Sequence, residues 1–275
     1  MYNETIATLT KVADAKAAAM RRSPAGFFVA SMLAGAYVGI GILLIFTLGS
    51  DVPPPFRKLV MGATFGIALT LVVIAGGELF TGHAMLMPLR HWRGGARLRE
   101  LVAAWATTWV GNLAGALVLV ALFVLGGGGG LLSSPDALVM SVAAAKMNAS
   151  AGALVARGLL CNWLVCLALW MSTRVSSESA KCIVIWWCLF AFIASGFEHS
   201  VANMTVFGLA LAGNHPEAVS LAGAAWNLTW VTLGNVIGGG LFVAGAYWIA
   251  THGVAPRVPK DAGADLVPAK TAVGD

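Results

Sequence analysis

Six stretches of the chain are each apolar over about the twenty residues that a helix needs to cross a bilayer, and two of the six are broken by ionisable side chains. They lie near 26–48, 58–76 (with an apolar continuation to about 88), 102–125, 153–173, 183–211 and 224–250. The second carries Glu78 and His83 in its later part, and the fifth carries Glu198 and His199. A water-soluble domain must clothe its surface in polar groups, yet of the 275 residues 59% are apolar and only 11% charged, against about 25% charged in soluble domains. A lipid-facing surface accounts for the deficit. The expected fold is an all-α membrane protein with six transmembrane helices, of which the second and fifth are broken.

Lys and Arg residues set the expected orientation. Six crossings put Lys11, Lys16, Arg21, Arg22, Arg90, Arg93, Arg97, Arg99, Arg174, Lys181, Arg257, Lys260 and Lys270 on one side, and leave Arg57, Lys58, Lys146 and Arg157 on the other. The excess of positive charge on cytoplasmic loops then places both termini in the cytoplasm. The net charge of +5 flanks apolar runs and forms no basic face, which excludes nucleic acid as the partner and points to the lipid bilayer. The first 25 residues contain no apolar core of the signal-peptide kind. Residues 1–25 are expected as a cytoplasmic helical segment, with 3–22 a candidate lid. Residues 26–250 form the membrane domain. Residues 251–275 form a cytoplasmic tail, Ala/Pro/Lys-rich from about 254 and expected to be disordered.

The two halves echo each other. Gly77-Glu78-Leu79-Phe80-Thr81-Gly82-His83 is followed by Gly111-Asn112, and Gly196-Phe197-Glu198-His199-Ser200 is followed by Gly234-Asn235. The glutamates are 120 residues apart and the asparagines 123. Each half thus places an acid in its second span and a Gly-Asn pair in its third. Three spans is an odd number, so the halves run in opposite senses, as two inverted three-helix repeats. Such folds hold their substrate path near the midplane, at the broken helices.

Ionisable groups at membrane depth cost roughly 2.5–3.5 kcal/mol for most charged types on insertion scales, so each needs a reason. His199 lies in the break of the fifth span, beside Glu198 and four residues before Asn203. Protonated, it would attract an anion or hand it a proton; otherwise it is a structural histidine bonded to backbone. Glu78 and Glu198 are expected to accept the N–H groups that broken helices leave unpaired. Thr81 offers a hydroxyl either to an anion or to its own helix end. Asn112 and Asn235 are expected to join helices, Asn235 alternatively holding the backbone near His199. His83 is expected to pack near the cytoplasmic end of its span, and His91 to lie solvated in a loop. Lys146 and the positive ends of broken helices favour anions over cations.

Other chemistries find less support. Cys161, Cys166, Cys182 and Cys188 lie within or next to apolar runs and suit packing; neither they nor the histidines have metal-ligand spacing, so no metal and no cofactor is expected. Glu198-His199 resembles an acid–base dyad, but no nucleophile motif accompanies it. An intramembrane enzyme built on that pair and a channel for neutral small solutes stand as the alternatives.

Longer runs sharpen the reading. Gly77–Gly82 and Gly196-Phe197-Glu198-His199-Ser200-Val201-Ala202-Asn203-Met204 resemble the formate/nitrite transporter family over roughly residues 24–250. Residues 34–39, 60–69, 160–166, 185–189 and 232–235 resemble its nitrite channel branch. The resemblance implies an aquaporin-like fold in the inner membrane of a bacterium, as a homopentamer with one pore per protomer. It implies passage of nitrite, or of formate or hydrosulfide, with protons as candidate co-substrates. His199 would be the central pore residue, faced by Thr81. Leu69, Leu79 and Phe192 would form a cytoplasmic constriction, and Phe65, Phe80 and Val165 a periplasmic one. Lys146 and Asn162 would be polar groups of the outer path.

Overall fold

The computed structural model describes residues 2–252, so the expected tail and its cations Arg257, Lys260 and Lys270 lie outside the described residues. All its regular secondary structure is helical. Helix α1 (Asn3–Arg22) leads into α2 (Pro24–Ser50), whose start is marked by the Ser23 hydroxyl accepting from the Gly26 N–H and by Pro24 in the first turn. Helices α3 (Pro54–Thr64) and α4 (Gly66–Thr70) and a π-helical turn, Leu71–Gly76, form one rod. After a break come α5 (Phe80–Trp92) and α6 (Leu98–Leu125). Next are α7 (Leu138–Met147), α8 (Ala151–Ser172), α9 (Glu178–Ala194) and α10 (Ser200–Ala212). The last rod is α11 (Leu221–Ile237), a π-helical stretch and α12 (Ala246–His252).

Five helical rods are long and apolar enough to cross a membrane: Pro24–Ser50, Pro54–Gly76, Leu98–Leu125, Ala151–Ser172 and Leu221–Thr251. The remaining apolar stretch is divided into α9, of 17 residues, and α10, of 13.

Both breaks are made the same way. Gly76 (φ 92°) and Gly196 (φ 73°) turn the chain through the left-handed region that only glycine enters cheaply. Each stands two residues before its glutamate. Gly76 and Gly196 therefore occupy matching positions at the two breaks. Beyond the glutamates the chain is extended at Leu79 and His199 before helix resumes.

Glycine also sets the helix crossings. Lipid tails are as apolar as leucine, so helices in a membrane gain by close packing and not by hiding from solvent. A Cβ at Gly35 on α2 would strike the backbone of Asn112 on α6, and one at Gly115 the backbone of Met32. In the second half Gly234 and Gly238 meet the backbones of Val155 and Leu159 on α8.

Two local expectations are revised. Arg90, read as a cation of a connecting loop, belongs to α5 and is buried; it donates to Asp14 of α1 at 2.7 Å and to Glu100 of α6 at 3.2 Å. His91, read as solvated, makes a 2.7 Å bond between Nδ1 and the Ala96 carbonyl. The Gly126–Gly130 run does turn through positive φ at Gly127, Gly128 and Gly129, but α7 follows it and delivers Lys146 to the interior face. Helix α1 packs Ile6, Leu9 and Ala13 into a cluster with Met85, Leu86 and Leu89 of α5.

Candidate functional site: a neck between two vestibules

The starts of α5 and α10 converge on one contact. Thr81, in the first turn of α5, and His199, immediately before α10, are both buried, with Oγ1 and Nε2 3.1 Å apart. The other ring nitrogen of His199, Nδ1, accepts the Ala202 N–H at 3.2 Å and so caps α10. A backbone amide can only donate. Nδ1 is therefore bare in this arrangement, and the neutral ring carries its proton on Nε2, facing Thr81.

Each break is held by an asparagine through three bonds. Asn112 donates to the carbonyls of Ser31 (2.7 Å) and Glu78 (2.9 Å) and accepts the Phe80 N–H (2.9 Å). Asn235 donates to the carbonyls of Gly158 (2.8 Å) and Glu198 (3.0 Å) and accepts the Ser200 N–H (2.9 Å). The glutamate N–H groups go to the carbonyls of Ala30 and Arg157. The sequence reading gave the unpaired N–H groups to the carboxylates of Glu78 and Glu198; the structure gives them to other oxygens. A carboxylate only accepts, whereas a break strands donors and acceptors together, and a carboxamide serves both.

The carboxylates are turned to cations instead. Glu78 accepts from Lys16 Nζ and pairs with His83 Nε2, each at 2.7 Å. Glu198 accepts from Lys146 Nζ at 2.7 Å and Asn203 Nδ2 at 2.6 Å. The acid–base dyad is thereby dismissed on geometry: the bonded partners of the Glu198 carboxylate are Lys146 and Asn203, not its neighbour His199.

Three voids share walls in this region, the first and second through Phe192 and His199 and the second and third through Leu79. One of about 140 Å³ is lined by Lys146, Asn203, Phe192 and His199. A second, of only about 10 Å³, is walled by Phe65, Leu69, Leu79, Val165, Phe192 and His199. A third, of about 270 Å³, takes in Leu79, His83, Lys16 and Lys181. Helix α9 runs past all three, from Lys181 in the third void to Leu189 and Phe192 in the second and Ile193 in the first. The middle void is about the size a single water needs. The geometry is that of an apolar neck between an α7-side and an α1-side vestibule, with the Nε2–H of His199 and the Thr81 hydroxyl at its edge.

Of the sequence candidates, Phe65, Leu69, Leu79, Val165, Phe192 and His199 meet at this neck, and Thr81 joins through His199. The resemblance split the five apolar ones between two constrictions. Here they wall one void, with the rings of Phe65 and Phe192 packed edge-on at 5.6 Å. Lys146 lines the α7-side vestibule. Asn162 is placed differently from the outer path expected for it: fully buried, it donates to the carbonyls of Thr81 (3.1 Å) and Asn235 (2.6 Å). Phe80 lines a separate apolar groove of about 680 Å³ between α6 and α11. Lys16 was missed, because near a span its charge was counted only for orientation.

The comparisons agree with one another. The family model for the formate/nitrite transporter matches residues 4–249. The nitrite transporter NirC of Escherichia coli is 53% identical over 251 residues, 91% of this chain and 93% of that protein. A solved structure described as an FNT family ion channel superposes with a TM-score of 0.88 at 52% identity, covering 90% of this chain and 98% of the other. A pentameric formate channel with formate bound gives a TM-score of 0.71 at 30% identity, over 85% and 99% of the two chains.

Proposed function

The chain belongs to the formate/nitrite transporter family, and from that premise we propose that it carries nitrite, and formate or similar small weak-acid anions, across the bacterial inner membrane. One pore runs through each protomer of a homopentamer. The relatives that support this reading are transporters and channels, not enzymes. In the proposed topology the chain crosses six times, as two inverted halves, with both termini cytoplasmic. The α1-side vestibule then faces the cytoplasm and the α7-side vestibule the outside.

The observation that carries the proposal is the Thr81–His199 pair at the edge of an apolar neck. An ion entering the neck sheds water, at a cost far too high to bear without replacement partners. The wall residues are apolar, so they offer a cation nothing. The Nε2–H of His199 and the hydroxyl of Thr81 are donors, and an anion can exchange water for them. The same donors suit a weak acid that takes up a proton on the way. Lys146 holds positive charge at the outer approach, partly spent on Glu198, and Asn162 fixes the backbone of Thr81. Glu78, Glu198, Asn112 and Asn235 keep the two breaks in register.

The test is anion flux in liposomes loaded with nitrite, formate, chloride or a cation, comparing wild type with His199→Ala. Nitrite and formate flux that collapses in the variant while the protein stays folded supports the reading. Neutral-solute flux without anion flux would replace it with a channel for uncharged solutes.

A further inference from the structure

The two glutamate clusters differ in their third member. Five residues after Glu198 stands Asn203, and five after Glu78 stands His83. Both reach back to the carboxylate, at 2.6 Å and 2.7 Å. The carboxamide does not titrate, whereas an imidazole does so near neutral pH. We propose that His83 is a proton-binding site of the α1-side vestibule, where proton uptake converts the neutral Lys16–Glu78–His83 cluster into a cationic one that gathers anions.

The site for the proton is already open. The carboxylate of Glu78 accepts, so Nε2 of His83 carries the hydrogen and Nδ1 of the neutral ring is bare. Nδ1 is buried and has no hydrogen-bond partner, donor or acceptor, among the described residues, so an added N–H is offset by the charge of Glu78 and not by a bond of its own. A proton added there leaves the bonds from Lys16 and His83 to Glu78 in place. It changes the charge of the cluster by one unit. The carboxylate stands ready as counter-ion, and it and Lys16 are partly open to water (14% and 24%).

The charged groups around His83 fix the sign of the effect. From α1 the charged group facing His83 is Lys16, from the break it is Glu78, and from α9 Lys181 lines the same vestibule, matched by Glu178 at 2.7 Å. Helix α2 presents the Phe27 ring edge-on at 5.8 Å, and α6 the Trp105 indole, which donates to the His83 carbonyl. Helix α8 contributes Leu169, Ser172 and Thr173 to the vestibule, none of them charged. Arg90, further along α5, is already bound to Asp14 and Glu100. With His83 neutral, Lys16 is matched by Glu78. With His83 protonated, one positive charge is left over on this side alone, since Asn203 gives the α7-side cluster no equivalent.

This inference rests on the anion-transport reading above. The experiment uses full-length protein in planar bilayers, with orientation read from access to the N-terminus. The bath on one side at a time is stepped from about pH 8 to about pH 4.5, a window wide enough for a buried histidine as well as an exposed one. Nitrite current entering from the α1 side is expected to rise roughly three- to tenfold more in wild type than in His83→Asn, the effect of one unit charge near a wet vestibule. The responses to acid on the α7 side are expected to match. Carrying the proton on the substrate itself would give a response in both proteins. An α1-side response equal in wild type and His83→Asn, or absent from wild type, overturns the proposal. Should His83→Asn misfold, His83→Gln takes its place. If wild type passes no anion from either side, the transport reading fails separately. A ¹⁵N-histidine spectrum then decides for His83, and an Nδ1 that does not protonate over the same range overturns the site.

Discussion

Asn112 and Asn235 make the same three hydrogen bonds at two different helix breaks, each spanning a glutamate carbonyl, the N–H two residues later and a carbonyl on the first helix of its own half. Removing one such side chain strands several buried backbone groups, at roughly 1–3 kcal/mol for each group left unpaired. Asn235→Ala is expected to lower the thermal midpoint of the detergent-solubilised protein markedly. Asn235→Asp, which loses the donors and sets a buried carboxylate against the Gly158 and Glu198 carbonyls, should fall at least as far as Asn235→Ala.

The Thr81 hydroxyl is expected to act on transport and not on folding, since Asn162 and Cys166 hold its carbonyl independently. Thr81→Val keeps the shape and deletes the hydroxyl; anion flux in liposomes should fall about tenfold, the equivalent of one hydrogen bond of roughly 1.5 kcal/mol to a charged group. Thr81→Ser should retain most of the flux.

Phe192 borders both the neck and the α7-side vestibule. Phe192→Ala should widen the neck, admit water and reduce the preference for nitrite over chloride, measured as a ratio of fluxes. The substitution also removes a buried aromatic ring, at about 3–5 kcal/mol of stability, so folded protein should be quantified alongside.

Glu198 is buried and Lys146 is its only cationic partner among the described residues. Lys146→Met should destabilise the protein by roughly 3–5 kcal/mol, because it leaves the carboxylate buried and unpaired. Lys146→Met combined with Glu198→Gln should recover most of that loss in a thermal-stability assay. Recovery would establish that the lysine is needed for folding because of the charge it neutralises.

Gly196 has open space where a Cβ would stand, so Gly196→Ala is charged only with the left-handed backbone, about 1–2 kcal/mol. Gly234→Ala has an ordinary helical backbone but drives a methyl into Val155 of α8. The second variant should lose more stability than the first, although both replace glycine by the same residue.

Much of this architecture was legible beforehand because bilayer physics acts on local sequence. A run of about twenty apolar residues has few fates other than crossing, and an ionisable group inside such a run demands a partner. Those two rules located the long helices, both breaks and His199, and the echo between the two halves added the paired asparagines. The family resemblance added Phe65, Leu69, Leu79, Val165 and Phe192, which hydropathy alone cannot tell from lipid-facing residues.

What the sequence by itself determined was therefore the set of helices and the positions where they break. Which group pairs with which was decided only by the tertiary structure. Lys16 and Glu78 are 62 residues apart and Thr81 and His199 118; no periodicity links them, and they meet only after glycine-lined crossings bring the helices into backbone contact. The same packing sets Asn162 against the Thr81 carbonyl and gathers five apolar candidates around one small void. It also turned the glutamates from backbone caps into counter-ions. Hydrogen bonds and ion pairs reach only about 3–4 Å, so their partners are set by how the helices pack, and composition and spacing carry no record of that.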